Sequence, residues 1–285
     1  MLKRRITVCR AYSKNTKEIV KFIKANHIFK VNVKNLYNTL QFSWDKKKEI
    51  GFILKNNKKK IVGFFGVIHA ENNFYPNSKY QICNMHTWVV NKEYRRYSIW
   101  LLEKVAKIKK IIISHSTITN LNKNFQRYNF RLLDEGYFIS IFAPHKFKIS
   151  LNYKINLLEK KSNYLKIYND HKLFNYNFLN IEKEKCLVIF NVKSKLFINY
   201  ATIFFISNID YFNKNFNQVK AMIFLNFKCY IFKLDARFIN KRINNSFFWY
   251  KKYPLMNKLY KIPNNYNLRS FKKSHINNLY SELQF

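Results

Sequence analysis

The segment Ile61–Ala70, "IVGFFGVIHA", constrains the fold more than any other part of the chain. It is apolar at almost every position, with no period-two or period-3.6 alternation to leave a wet face. A run of that length and character reads as a strand at the centre of a sheet. Ile50–Leu54 before it is a second strand, and the Asn-Asn-Lys stretch between them is the turn of a β-hairpin. "ENNFYPNSK", Glu71–Lys79, reads as a loop from its Asn, Pro and Ser content. Tyr80–Val90 is the next strand.

The chain then hands over from strand to helix within "HTWVVNKEYRRYSIWLLEKV", His86–Val105. Leu101, Leu102, Val105 and Ile108 form one helical stripe, and Glu103, Lys104 and Lys107 face water. A tight turn between strand and helix leaves the first helical N–H groups without partners, which makes an anion site. Arg95 and Arg96 lie in that turn and can add charge-assisted bonds to phosphate oxygens, and Ser98 can cap or donate. Further elements follow the same logic. Residues 16–25, Val33–Leu40 and 119–128 read as short helices, and Lys109–Ser114 and Leu132–Phe142 as strands. In the second half, Cys186–Val192, Tyr200–Ser207 and Lys228–Leu234 read as strands, with Phe212–Leu225 a helix. The order β-β-α-β thus occurs twice, as two related units would give. A boundary is expected near residues 145–165, around Pro144. At 285 residues the chain is long enough for two domains at about 150 residues each. They are placed at 1–150 and 160–285.

Charge bears on partners. Lys and Arg number 53 against 15 Asp and Glu, a formal net charge of +38. Such a field attracts nucleic acid, an anionic membrane surface or a polyphosphate ligand. The alternative is a lysine-inflated surface with no dedicated partner, since the charge is spread along the chain. No motif for nucleic-acid binding accompanies it: no aromatic strand pattern of the RNA-recognition type, no G-x-x-G loop. Cys9, Cys83, Cys186 and Cys229 are far apart with no C-x-x-C pair, so neither a zinc site nor another metal site is expected. "MLKRRITVCRAYSKN" lacks a long apolar stretch behind its basic residues, and "YATIFFISNIDYF" is too short and interrupted to span a bilayer. The expectation is a soluble cytoplasmic protein, with a peripheral membrane contact left open.

"VVNKEYRRYSIWLL" resembles the cofactor-binding segment of the GNAT superfamily, the acyl-CoA-dependent acyltransferases. There an apolar strand leads into an R/Q-x-x-G-x-G/A loop and a helix. Arg95 stands at the first position of that motif, Ser98 at its first glycine and Trp100 at its last. "KKKIVGFFGVIHA" is similar to the hairpin strand before the family's cofactor strand. "NLNKNFQRYNFRLLD" is similar to its next element, with Asn129 in place of a glycine and Phe130 as the closing aromatic. Phe125 occupies the position where many members carry a tyrosine that protonates the leaving thiolate. Cys83–Leu102 with the C-terminal "HINNLYSELQF" further resembles a little-characterised bacterial group of GNAT-like acyltransferases.

The resemblance implies an α/β fold, a mixed and mostly antiparallel sheet flanked by helices, with two such units in tandem. It implies acetyl-CoA or another acyl-CoA as cofactor and a small amine or hydroxyl acceptor, a sugar among the options. By position, the main chain of Val89 or Val90 would hold the thioester carbonyl. Arg95, Arg96, Tyr97, Ser98 and Ile99 would surround the CoA diphosphate. Period two places His86, Trp88 and Val90 on one strand face, so His86 is the candidate base, with Asn84 orienting the acceptor and Asp134 as a further candidate to act as base or to bind a cationic amine. For each of these three, a hydrogen-bonded or ion-paired structural role is the alternative. Asp170-His171 and Asp235-Ala-Arg237 are acid–base neighbours, of which Asp235 and Arg237 could pair on one face. The rival functions are a basic nucleic-acid-binding protein and a GNAT scaffold without turnover, the latter because of Trp100 and Phe125.

Overall fold

A computed structural model describes residues 6–26, 32–41, 44, 48–75, 78–134, 136–143, 148–156, 162, 164–239, 248–252, 256–264, 276 and 279. The N-terminal half supplies strands β1 (Thr7–Ala11), β2 (Gly51–Lys55), β3 (Ile61–Tyr75), β4 (Ser78–Val90), β5 (Ile111–Ile118), β6 (Arg131–Asp134) and β7 (Gly136–Ile141). Its helices are α1 (Thr16–Asn26), α2 (Val33–Gln41), α3 (Ser98–Ala106) and α4 (Asn122–Gln126). The C-terminal half supplies β8 (Tyr153–Ile155), β9 (Asn177–Ile181), β10 (Cys186–Lys195), β11 (Ile198–Ile206), β12 (Cys229–Asp235), β13 (Phe248–Lys252) and β14 (Met256–Lys261). Its helices are α5 (Leu165–His171), α6 (Ile209–Lys214) and α7 (Phe216–Phe227).

These strands form two seven-stranded sheets of the same design. The first runs β1-β2-β3-β4-β5-β14-β6 and the second, read in the matching direction, β8-β9-β10-β11-β12-β7-β13. Each sheet is antiparallel except at one place, β4 with β5 in the first and β11 with β12 in the second. A parallel neighbour needs a crossover, and α3 and α7 supply it. The repeat expected from sequence is therefore a repeat of whole sheets.

The sixth position of each sheet is filled by the other half of the chain. β14 sits between β5 and β6, and β7 sits between β12 and β13. A division into 1–150 and 160–285 has to accommodate this exchange, because β7 belongs to the second sheet and β14 to the first. The single strand expected over Leu132–Phe142 is instead two, one in each sheet, with the change of sheet between Asp134 and Gly136. The loop expected at Glu71–Lys79 is also corrected: β3 and β4 stay paired through Asn72↔Tyr80 and Tyr75↔Ser78. A ladder of main-chain bonds there outweighs composition. Asp170 and His171 lie on α5, a helix. The proposed boundary at Pro144 and nearly all of the C-terminal "HINNLYSELQF" fall outside the described residues.

Among the described residues, four clusters make the core. One face of the first sheet packs α3 and α4 through Leu101, Leu102, Val105, Phe125 and Ile112. The opposite face is covered by α1 and α2, around Phe64 and Ile53, and farther along by the second sheet. At that seam Ile82, Ile111 and Ile113 meet Leu187, Ile189 and Phe205 across α5. The fourth cluster fills the second unit around Phe190, Phe216 and Phe232. Burying this much apolar surface is the main stabilising term of both units, at roughly 25 cal/mol per Å².

Candidate functional site

The site is built where β4 and β5 part. Their parallel pairing runs from Ile82↔Ile111 to Met85↔Ser114 and stops. β4 continues to Val90 and β5 to Ile118, so four or more residues of each strand diverge and leave a wedge. At the same level β4 carries a bulge. Phe65 pairs with Trp88 and Gly66 with His86, leaving Thr87 extra, with φ 44°. A bulge re-aims side chains and increases local twist. A threonine in the left-handed region is disfavoured, so the surroundings hold it there.

That extra residue overturns the expectation that His86, Trp88 and Val90 share a face. Trp88 stacks on Phe65 at 4.8 Å and meets the edge of Phe125 at 5.8 Å, on the α3–α4 side. Val90 packs into the same cluster. His86 and Asn84 lie on the opposite face, where the His86 ring meets the edge of Phe64 at 6.3 Å.

His86 is buried, with its ring laid over Gly66; a Cβ at Gly66 would lie 2.4 Å from Cε1 of the imidazole. Its Nδ1 lies 3.1 Å from Thr87 Oγ1, and Nε2 has no partner among the described residues. Burial pulls its pKa to about 4, so the ring is neutral near pH 7. Asn84 is buried and its Nδ2 donates to Ile113 O at 3.4 Å, bridging the last part of the pairing.

Sequence reasoning missed His115. The strand was ended at Ser114, whereas β5 continues to Ile118. Ile82 opposes Ile111 and Asn84 opposes Ile113, so the same count sets His86 against His115 on the first level after pairing ends. His115 is buried and both ring nitrogens lack partners among the described residues. Its pKa is held well below the ordinary value, by burial first and then by the charges of Lys258 and Arg237. No period-two pattern in "IIISHSTI" extends the strand past Ser114, so the sequence carried no signal for it.

Behind His115 lies a buried ionic network that joins the units. Lys258 on β14 donates to both oxygens of Asp235 on β12, at 2.9 and 2.7 Å. Arg237 bonds Asp235 at 2.5 Å and Asp134 at 3.4 Å. Asp134 also accepts from the main-chain N–H of Gly136 and of Arg237. Burial and the Asp235 charge raise the pKa of Asp134, and burial pulls Lys258 to about 8. Asp134 is thus engaged on both oxygens, in a structural pairing with Arg237. Asp235 and Arg237 do pair, as their spacing allowed.

The strand–helix joint differs from a tight turn. A 3-10 segment, Lys92–Tyr97, stands between β4 and α3. Asn91 Oδ1 accepts from Glu93 N–H, Tyr94 N–H donates to Asn91 O, and Ser98 N–H donates to Arg95 O. Those amides are consumed internally. Arg95 and Arg96 are exposed. Arg96 donates to Tyr97 Oη at 2.7 Å and its guanidinium lies 4.7 Å from the Tyr97 ring. Tyr97 in turn meets Trp100 at 4.9 Å, and Trp100 is 39% exposed, lying outside the wedge. Ile99, in the first turn of α3, packs against the cluster of Leu101, Leu102 and Val105, while Val89 is buried on the α1 side. The structure therefore gathers Asn84, His86 and His115 at the wedge. It strings Val89 to Ile99 along the strand end and helix start, and places Asp134 in the network. An open cationic cavity of about 720 Å³, lined by Arg10, Lys48, His69, Lys104, Lys109 and Lys110 among others, lies at the far end of β4 from this joint. No group of three His, Cys, Asp or Glu side chains able to hold a metal occurs among the described residues.

The overall fold is found in solved structures. A GCN5-related N-acetyltransferase from Anabaena variabilis ATCC 29413 matches with TM-score 0.59 at 9% identity, over 90% of this chain and 73% of that one. Another from Kribbella flavida matches with TM-score 0.57 at 6% identity, over 92% and 72%. A conserved protein of unknown function from Enterococcus faecalis V583 matches with TM-score 0.56 at 10% identity, over 91% and 72%. No family model matches the sequence. The chain has the fold of the GCN5-related N-acetyltransferase superfamily, as two units in tandem.

Proposed function

We propose that the protein moves an acyl group, acetyl in the simplest case, from an acyl-CoA to an amine or hydroxyl of a small acceptor. The observation that carries this reading is the parting of β4 and β5 beyond Met85↔Ser114 beside the Thr87 bulge. The main chain of Val89 and Val90 then borders a gap where an extended thioester arm can lie. Arg95 and Arg96, exposed at the end of that strand, supply charge for a diphosphate, with Tyr97, Ser98 and Ile99 forming the adjoining surface. When bound, the acyl-CoA supplies the activated acyl group. In this reading the first unit holds the donor and the second closes the acceptor side.

The chain's own residues supply the rest. His86 Nε2 and His115 are the unpartnered groups at the wedge among the described residues, and as neutral imidazoles they can hydrogen-bond and orient an attacking amine, while burial opposes a full positive charge on either ring. Asn84 fixes the strand from which His86 projects. Phe125 offers no proton to a departing thiolate, but a thiol of ordinary pKa near ~8.5 leaves without one at modest cost. A second reading, an acyl-CoA-binding scaffold without turnover, draws support from Phe125, which has no proton to give a departing thiolate.

Titration calorimetry with acetyl-CoA and longer acyl-CoAs, followed by release of CoA thiol against a panel of amines and amino sugars, tests both. Binding that persists at physiological salt and weakens in Arg95→Ala with Arg96→Ala supports a donor site. Binding without thiol release selects the scaffold. Absence of binding by any acyl-CoA removes both.

A further inference from the structure

The end of the second sheet farthest from the ionic network carries an unusual hairpin. β10 and β11 extend past their neighbour: β9 pairs with β10 only as far as Phe190↔Asn177, while β10 and β11 remain paired to Lys195↔Ile198. Two residues, Leu196 and Phe197, close the arm, with φ 50° and 64°. A two-residue loop with both positions left-handed is the type I′ turn, which Asn-Gly fills because larger side chains are disfavoured there. Here the positions hold leucine and phenylalanine. Leu196 is 81% exposed and Phe197 fully so, with Ile198 about half exposed beside them. Strain and exposure both act against this arrangement in water.

The charge around the tip is of one sign. Lys193 and Lys195 are exposed on the arm. Lys228 is exposed at the end of α7, which is tied to the arm by Asn199 Nδ2 donating to Phe227 O at 3.0 Å. Among the described residues the carboxylates of this unit lie elsewhere: Glu182 and Glu184 are in the turn at the opposite end of β10, Asp235 closes the opposite end of β12, Asp210 is in the first turn of α6 beyond the far end of β11, and Asp170 is on α5. A convex apolar tip of two or three side chains is too small for a stable protein interface, which buries about 800 Å² per partner. It suits the interfacial layer of a bilayer, which takes apolar side chains at acyl depth and cations at the phosphates.

We propose that the β10–β11 tip anchors the protein to an anionic membrane surface, with Leu196 and Phe197 entering the interface and Lys193, Lys195 and Lys228 against the headgroup phosphates. The anchor is independent of any acyl-transfer activity. Co-sedimentation with vesicles of phosphatidylcholine alone, and of phosphatidylcholine mixed with phosphatidylglycerol, tests it on the full chain. The wild type is expected to pellet with the anionic vesicles and to stay in solution with the neutral ones. Leu196→Asn with Phe197→Gly installs the preferred turn residues, so the fold is retained, checked by an unchanged or raised Tm. That variant should lose at least about tenfold in partition, the ratio given by about 1.4 kcal/mol. Phe197→Trp should show a blue-shifted emission quenched by brominated lipid. The proposal is overturned if the wild type ignores anionic vesicles, if the Asn-Gly variant binds them equally, or if the indole emission of the Phe197→Trp variant does not respond. It is equally overturned if sedimentation velocity shows the tip mediating self-association instead.

Discussion

Acid should loosen this fold through His86. In the native protein its imidazole is excluded from protonation by burial, with a pKa of about 4 against 6.5 in the open chain. The unfolded chain therefore binds a proton that the native chain refuses. The stability this group protects is intact above pH ~6.5 and is lost as pH falls through ~6.5 toward ~4. With those two values, going from pH 7 to pH 5 costs about 2 kcal/mol, and the full loss below pH 4 is about 3 kcal/mol. Urea unfolding at pH 7 and pH 5 measures it. His86→Gln is the comparison, because the carboxylates and other histidines titrate in both proteins and cancel in the difference. The wild type should lose about 2 kcal/mol more than the variant over this interval. Equal losses would show that the imidazole reaches a proton in the folded state, and the argument that it is held neutral at the wedge would fail.

Gly66→Leu should also act at His86. Its Cβ would fall 2.4–2.8 Å from three ring atoms, so the ring must leave its place. The expected cost is about 1–3 kcal/mol, read by urea unfolding, with loss of whatever activity depends on the imidazole. Arg237→Ala leaves Asp134 and Asp235 sharing one cation, Lys258, inside the seam. Removing one partner from a buried network typically costs about 3–5 kcal/mol, so a lowered Tm at pH 7 is expected, and a change under about 1 kcal/mol would refute the network's role. Separately expressed 1–150 and 160–285 fragments should each fail to fold alone, because each lacks the sixth strand of its sheet and exposes the edges that strand covers. Far-UV circular dichroism and size-exclusion of each fragment check this; two well-folded monomers would contradict the exchange.

Much of this protein was legible locally. The apolar run at Ile61–Ala70 required a central strand, and β3 is one. Helical spacing located α1, α2 and α3, and the order of elements pointed to two related units. These are properties of nearest neighbours along the chain, where hydrophobic period reports which face is buried. Three decisive features are not of that kind. The run Leu132–Phe142 carries an Asp-Glu-Gly break at 134–136, but alternation on either side records burial and not which sheet supplies the hydrogen-bonding partner, so the division between two sheets was not legible. The reversal of faces between His86 and Trp88 comes from one unpaired residue, Thr87, whose type carries no turn signal. His115 became a site residue only when β5 ran four residues beyond Ser114 and stopped pairing with β4. In each case the outcome rests on contacts between segments far apart in sequence, and period and propensity carry no record of those.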